Sequence, residues 1–175
     1  MSNLGTLLEC IAFAAERHRN QRRKDADASP YINHPIALAT LLATTGGIED
    51  LVVLQAAVLH DTIEDTKTTY QELLDRFGVE VTRVVAEVTD DKSLPKAQRK
   101  ELQVEHAPQM SREGALVKLA DKTCNLWDMA NAPPAGWPLE RRREYFDWAK
   151  RVVEGLPAVS AKLQRAFDAA YDLRP

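Results

Sequence analysis

The stretch LVVLQAAVLHDTIEDT, residues 51–66, decides the fold. Its first nine residues are apolar on nearly every side, a pattern that suits a central buried helix or a buried strand. Glu49 and Asp50, just before the run, supply an acidic start that favours the helix. The run ends on His60 and Asp61, a polar pair set against apolar core, where charge is costly unless something compensates it. A metal ion would compensate both. Successive helical side chains differ by about 100° in direction, so neighbours can converge at a helix end while residues four apart share a face. By that rule Glu64 stacks on His60, and Asp65 on Asp61.

Upstream, Leu4, Leu7, Leu8, Ile11, Ala12 and Ala15 recur at helical spacing and describe an amphipathic helix ending near His18. Residues 20–33 are polar, carry Arg22, Arg23 and Lys24, and contain Ser29-Pro30, a pair that disfavours continued helix, so they form a loop. Asn33 or His34 caps the next helix, with Pro35 in its first turn and Leu38, Leu41 and Leu42 facing inward until Gly46-Gly47 stops it. His34 thus sits where a loop enters a helix.

Downstream, Thr68 and Gln71 have capping-box spacing, Gly78 ends a short helix, and VEVTRVVAEV, residues 79–88, forms another despite its β-branched residues. TDDKSLP, residues 89–95, is a loop. Pro95 opens a polar helix that Pro108 closes, and Ser111 caps a helix through GALVKLADKTCNLWDM, residues 114–129, with Asp121 well inside it. NAPPAGWP breaks the chain again, and two more helical patterns follow with Pro157 between them. No strand–helix alternation, repeat or linker appears. The expectation is one all-α domain spanning residues 1–175, a bundle of roughly eight helices or more.

The 175-residue chain, 45% hydrophobic, can bury one sizeable core. A formal charge of −3 argues against a surface built for nucleic acid. Cys10 and Cys124 are isolated, which implies neither a disulfide framework nor a zinc knuckle and suits a reducing compartment. Glu9 and Glu16 interrupt the N-terminal segment before any long apolar run, so neither signal peptide nor membrane span is expected and the protein is read as cytoplasmic. No heptad seam marks a coiled-coil partner.

Four segments, YINHP (31–35), VVLQAAVLHDTIEDT (52–66), EVTDDK (87–92) and LVKLADKTCNL (116–126), resemble in order the HD-domain motifs of alarmone hydrolases. The match runs over most of the chain and is most similar to the small stand-alone enzymes that correspond to the hydrolase domain of RelA/SpoT-type proteins. The second acidic pair after the HD pair, with RRK upstream at residues 22–24, narrows the resemblance. It implies a manganese-dependent phosphohydrolase that removes pyrophosphate from the 3′ position of guanosine tetraphosphate or pentaphosphate.

The resemblance also implies roles. His34, His60, Asp61 and Asp121 fall at its metal-ligand positions, and a mixed imidazole–carboxylate set suits a divalent first-row metal. Glu64 and Asp65 match its catalytic pair, one accepting the proton of the attacking water and the other orienting it. Arg23, Lys24 and Lys96 match positions that meet substrate phosphates, a task suited to fixed cations. Asn125, one helical turn after Asp121, matches a position that bonds the sugar or reacting phosphate. Arg141 and Tyr145 match positions that hold a phosphate and stack near the nucleotide. Thr123, Cys124 and Trp127 depart from the pattern, and the expectation is that they reshape the nucleotide pocket.

Two rival readings share these residues. One is an HD-type enzyme acting on another phosphorylated nucleotide, such as a cofactor with a ribose 2′- or 3′-phosphate. The other is a helical nucleotide-binding module without catalysis, against which the full ligand set and the Glu64-Asp65 pair both speak.

Overall fold

The computed structural model describes residues 2–175, among which nine α-helices, a π-helical turn, a 3-10 turn at Ala107–Gln109 and an isolated bridge between Arg22 and Pro30 account for the regular structure. The first helix, α1 (Asn3–Arg17), is capped by Ser2, whose hydroxyl accepts from the Gly5 N–H, and it buries Cys10, Phe13 and Ala14. A loop leads to α2 (Asn33–Thr40), which runs on into one wide π-turn (Leu41–Thr45). No side chain caps α2, and its N-cap is Ile32 rather than Asn33 or His34. The reason is that the imidazole of His34 turns inward, where it meets Asp121.

Helix α3 (Leu51–Leu59) settles the ambiguity of the apolar run in favour of helix, started by Asp50, whose carboxylate accepts from the Val52 N–H. Residues 53–59 are all buried because α3 has neighbours all round it, with α1, α2, α5 and α7 packed on it. At its end come His60, Asp61 and the single turn α4 (Thr62–Asp65). Helix α5 (Tyr70–Val88) contains Gly78 at φ 82°, so the two helical halves expected on either side of that glycine form one kinked element. Its cap is Thr69, bonded to the Glu72 N–H, one residue later than the expected box; Thr68 is instead buried, its hydroxyl paired with that of Thr66.

Helix α6 (Lys96–His106) follows Pro95 and buries no residue fully, as its polar composition requires. Helix α7 (Arg112–Asn131), capped by Ser111, is the second central element and packs on α2, α3, α5, α8 and α9. Helices α8 (Leu139–Gly155) and α9 (Ala161–Tyr171) complete the bundle, with Ser160 capping α9. The core lies between α3 and α7. The ends of α1, α2 and α3 and the middle of α7 carry most of the polar groups buried within it, among them His18, His34, His60, Lys118, Asp121 and Lys122.

Candidate metal centre and cleft

Three of the four expected ligands converge. His34 from α2, His60 at the C-cap of α3 and Asp121 from mid-α7 each offer one donor atom, and these atoms lie within 4.8 Å of one another. All three residues are buried. His34 Nε2 is 3.2 Å from Asp121 Oδ1, and His60 Nε2 is 3.8 Å from the same oxygen. Asp61 falls outside that trio but adjoins it, with Oδ2 2.9 Å from His60 Nε2 and accepting a short hydrogen bond from the Tyr31 hydroxyl.

The donor chemistry fits a divalent cation. His60 Nδ1 donates to the Ala57 carbonyl at 2.8 Å, which leaves Nε2 as the nitrogen that faces the carboxylates. That buried Nε2 lies 2.9 Å from Asp61 Oδ2 without the alignment of a hydrogen bond. Burial opposes a charge on His60, but Asp61 and then Asp121 outweigh it and push the imidazole up to about 9. Burial likewise opposes charge on Asp61 and Asp121, and the cationic groups around them hold both carboxyls well below the usual carboxylate range. Such a cluster favours positive charge at its centre. Lys122 Nζ donates to Asp121 Oδ2 at 3.1 Å and Asn125 Nδ2 donates to Oδ1 at 2.6 Å, so the outer faces of this carboxylate are fixed from its own helix.

Glu64 and Asp65 stand beside this group on α4, where the main chain still links Asp65 N–H to the Asp61 carbonyl at 2.8 Å. Glu64 accepts from the Asp90 N–H at 3.2 Å and lies 3.6 Å from the Arg99 guanidinium. Burial, then the charge of Asp61, raises its carboxyl above the ordinary value. Asp65 accepts from Gln21 Nε2 at 2.9 Å and from Lys92 Nζ.

Both carboxylates open onto a cleft of about 840 Å³ whose wall includes Arg23, Lys24, Lys96, Asn125 and Tyr145, five of the six expected substrate residues. Arg23 pairs with Asp128 and lies over the Tyr31 ring at 5.6 Å. Lys96 is lowered by partial burial and by the cations of Arg141, Lys24 and Arg99. Arg141, the sixth residue, is not part of the wall; its guanidinium stacks 3.9 Å from the centre of the Trp137 ring, which is. Lys96 meets the same ring, its Nζ lying 5.6 Å from the centre.

None of Thr123, Cys124 and Trp127 lines the cleft, contrary to the expectation that they shape it directly. Thr123 and Cys124 occupy faces of α7 that are turned into the core, and Trp127 packs on that core. Burial pushes the Cys124 thiol up to about 12, in keeping with an apolar filler rather than a reactive group.

Sequence reasoning missed Gln21, Tyr31, Lys92, Arg99 and Trp137. Arg99 was within reach, because it follows Lys96 by three residues and so shares its helical face. Tyr31 stands three residues before His34 in the quoted YINHP segment. Gln21, Lys92 and Trp137 lie in loops, where no periodicity reports direction.

Three comparisons bear on this arrangement. The model of the HD domain family matches residues 10–147. The zebrafish (Danio rerio) guanosine-3′,5′-bis(diphosphate) 3′-pyrophosphohydrolase MESH1 is 55% identical over 95% of this chain and 94% of its own, and the human (Homo sapiens) MESH1 is 53% identical over 99% and 97%. A solved structure, described as a metazoan orthologue of SpoT that hydrolyzes ppGpp and plays a role in starvation responses, superposes with a TM-score of 0.93. It shares 46% identity and covers 97% of this chain and 95% of that one.

Proposed function

This chain belongs to the HD domain family, and from that premise we propose that it is a guanosine-3′,5′-bis(diphosphate) 3′-pyrophosphohydrolase. The observation that carries the reading is the convergence of His34, His60 and Asp121 beside two further carboxylates at the wall of a cation-lined cleft. Residues 1–175 act as one metallohydrolase domain. His34, His60, Asp61 and Asp121 hold one ion, which we assign as manganese, a metal suited to imidazole and carboxylate donors together. When bound, the ion supplies positive charge against the phosphoryl oxygens and acidifies the attacking water.

The chain's own residues do the rest. Arg23, Lys24 and Lys96 draw the two diphosphates into the cleft, Asn125 and Tyr145 line the nucleoside path, and Arg141 brings its charge to the rim on the Trp137 ring. Glu64, whose carboxyl is raised by burial and by the charge of Asp61, takes the proton from water. Asp65, held on two sides, orients that water. The water oxygen bonds to the phosphorus on the ribose 3′ oxygen, that P–O bond breaks, and the 3′ oxygen leaves with a proton. Guanosine tetraphosphate then gives GDP and pyrophosphate.

A cytoplasmic setting agrees with the two free thiols, and no helix among the described residues is long and apolar enough to cross a membrane. Incubation of purified protein with guanosine tetraphosphate and manganese, followed by product identification, tests the reading. GDP with pyrophosphate supports it. An intact alarmone alongside a dephosphorylated ribose 2′- or 3′-phosphate cofactor in the same panel would replace the substrate while keeping the chemistry.

A further inference from the structure

The geometry points to an imidazole–amide relay, running from the buried His18 through Gln21 at the cleft wall to Asp65, that fixes the direction of the Asp65 carboxylate; it rests on the hydrolase reading above. His18 is the C-cap of α1, only 1% exposed, with its N–H bonded to the Ala14 carbonyl at 2.9 Å. Its Nδ1 lies 2.7 Å from Gln21 Oε1, and Gln21 Nε2 lies 2.9 Å from Asp65 Oδ2.

The order of donors follows from chemistry. An ionised carboxylate only accepts, so the amide group of Gln21 must face Asp65 with its N–H and face His18 with its carbonyl. That carbonyl in turn requires a proton on His18 Nδ1. The opposite ring nitrogen, Nε2, is buried without a partner, and the ring is tilted against Tyr31 with centroids 4.9 Å apart. Burial lowers the imidazole pKa, which agrees with a neutral ring carrying its one proton on Nδ1. Both bonds are therefore made by neutral groups, and the carboxylate keeps its full charge for work on the substrate side.

Asp65 has a second partner, but of a different kind. Lys92 reaches it from an exposed loop with half of its side chain in water, so it supplies charge and little direction. The inner anchor is the one that rests on the buried ring of His18 at the end of α1. His18 is a positioning residue in this arrangement, reaching the cleft only through Gln21, which stands in the cleft wall and bonds Asp65 there. Because the ring is linked to the carboxylate by a single amide, loss of either member frees the same oxygen.

Four variants test this: His18→Leu, His18→Asn, Gln21→Leu and the double His18→Leu/Gln21→Leu. Loss of an outer partner that orients a site residue typically costs about 10- to 100-fold, and that fall is expected in kcat for Gln21→Leu and for His18→Leu, with KM and manganese affinity unchanged. The double variant should be no slower than Gln21→Leu alone, and His18→Asn, whose amide N–H can replace Nδ1–H, should recover most of the rate. Multiplying losses in the double variant, an unchanged kcat in Gln21→Leu, or a loss that follows manganese affinity would each overturn the relay. Should His18→Leu fail to fold, Gln21→Leu and His18→Asn carry the same decision. Nitrogen-15 NMR of the wild-type protein gives a readout independent of substrate: His18 protonated at Nδ1 is expected, and an Nε2–H tautomer overturns the relay. Absence of alarmone turnover in the wild type would sink the hydrolase reading, and the NMR result would still judge the relay on its own.

Discussion

His34 Nε2 and Asp121 Oδ1 lie 3.2 Å apart although 87 residues separate them in the chain. One sits in the first turn of α2 and the other in the middle of α7, two helices that pack directly on each other. Their meeting closes a donor set that His60 completes from the end of α3. His34→Ala and Asp121→Ala should therefore weaken manganese binding by more than the roughly 10- to 100-fold that an outer-shell loss costs. Titration calorimetry on protein stripped with chelator checks this, and undiminished affinity in either variant would remove that residue from the set.

Tyr31 donates to Asp61, and that bond is the only one from a side chain of the 18–32 loop to the proposed ligands. Tyr31→Phe keeps the ring against His18 and removes only the hydroxyl. The expected result is manganese affinity lowered about tenfold, with kcat at saturating manganese close to wild type. A fall in kcat that excess manganese does not restore would place Tyr31 in the chemistry rather than beside the metal.

Glu64 couples activity to stability, and the sign can be worked out. Its carboxyl is raised above the ordinary value of 4.5 by burial and by Asp61, so the folded state holds that proton more tightly than the unfolded chain does. The ionised group thus costs stability, a cost that begins as pH rises through 4.5 and is complete above the raised folded value. Glu64→Gln should melt above the wild type at neutral pH, with the gap closing as pH falls below 4.5. The same variant should lose about 10²- to 10⁴-fold in turnover, the usual worth of a positioned general base, while keeping its manganese. Parallel thermal melts across pH and single-turnover rates decide both halves.

Much of the fold was legible because it follows from local chemistry. Ser111 caps the helix its position suggests, Gly78 interrupts the helical path where a break was expected, and the all-round apolar run of residues 51–59 makes the central helix. Errors of one residue arose where another partner took a side chain away from its capping role, a tertiary one for His34, turned to Asp121, and a local one for Thr68, turned to Thr66. The resemblance supplied the proposed ligands and the proposed catalytic pair. What it did not supply were the groups holding them, since Gln21 and Lys92 act on Asp65 from loops more than twenty-five residues away in sequence, and nothing in a loop's composition states where its side chains point.

Lys96 and Arg141 are assigned to phosphate binding together, yet they stand differently toward the cleft. Lys96 is part of its wall, whereas Arg141 lies against Trp137. Cations crowd Lys96 without an acid among the groups that shift it, so an incoming anion relieves repulsion there as well as making a bond. Lys96→Met should raise KM for guanosine tetraphosphate about tenfold, equivalent to about 1.5 kcal/mol, the low end for a hydrogen bond to a charged group, as suits an exposed lysine. Arg141→Ala removes a cation–π contact at an exposed site, worth about 0.5–1 kcal/mol, and should raise KM only about two- to fivefold. Both effects should shrink as salt is added, because exposed charges are screened within about 10 Å at 0.1 M ionic strength. If Arg141→Ala raised KM as far as Lys96→Met, the guanidinium would have to leave Trp137 and meet a phosphate directly when substrate binds.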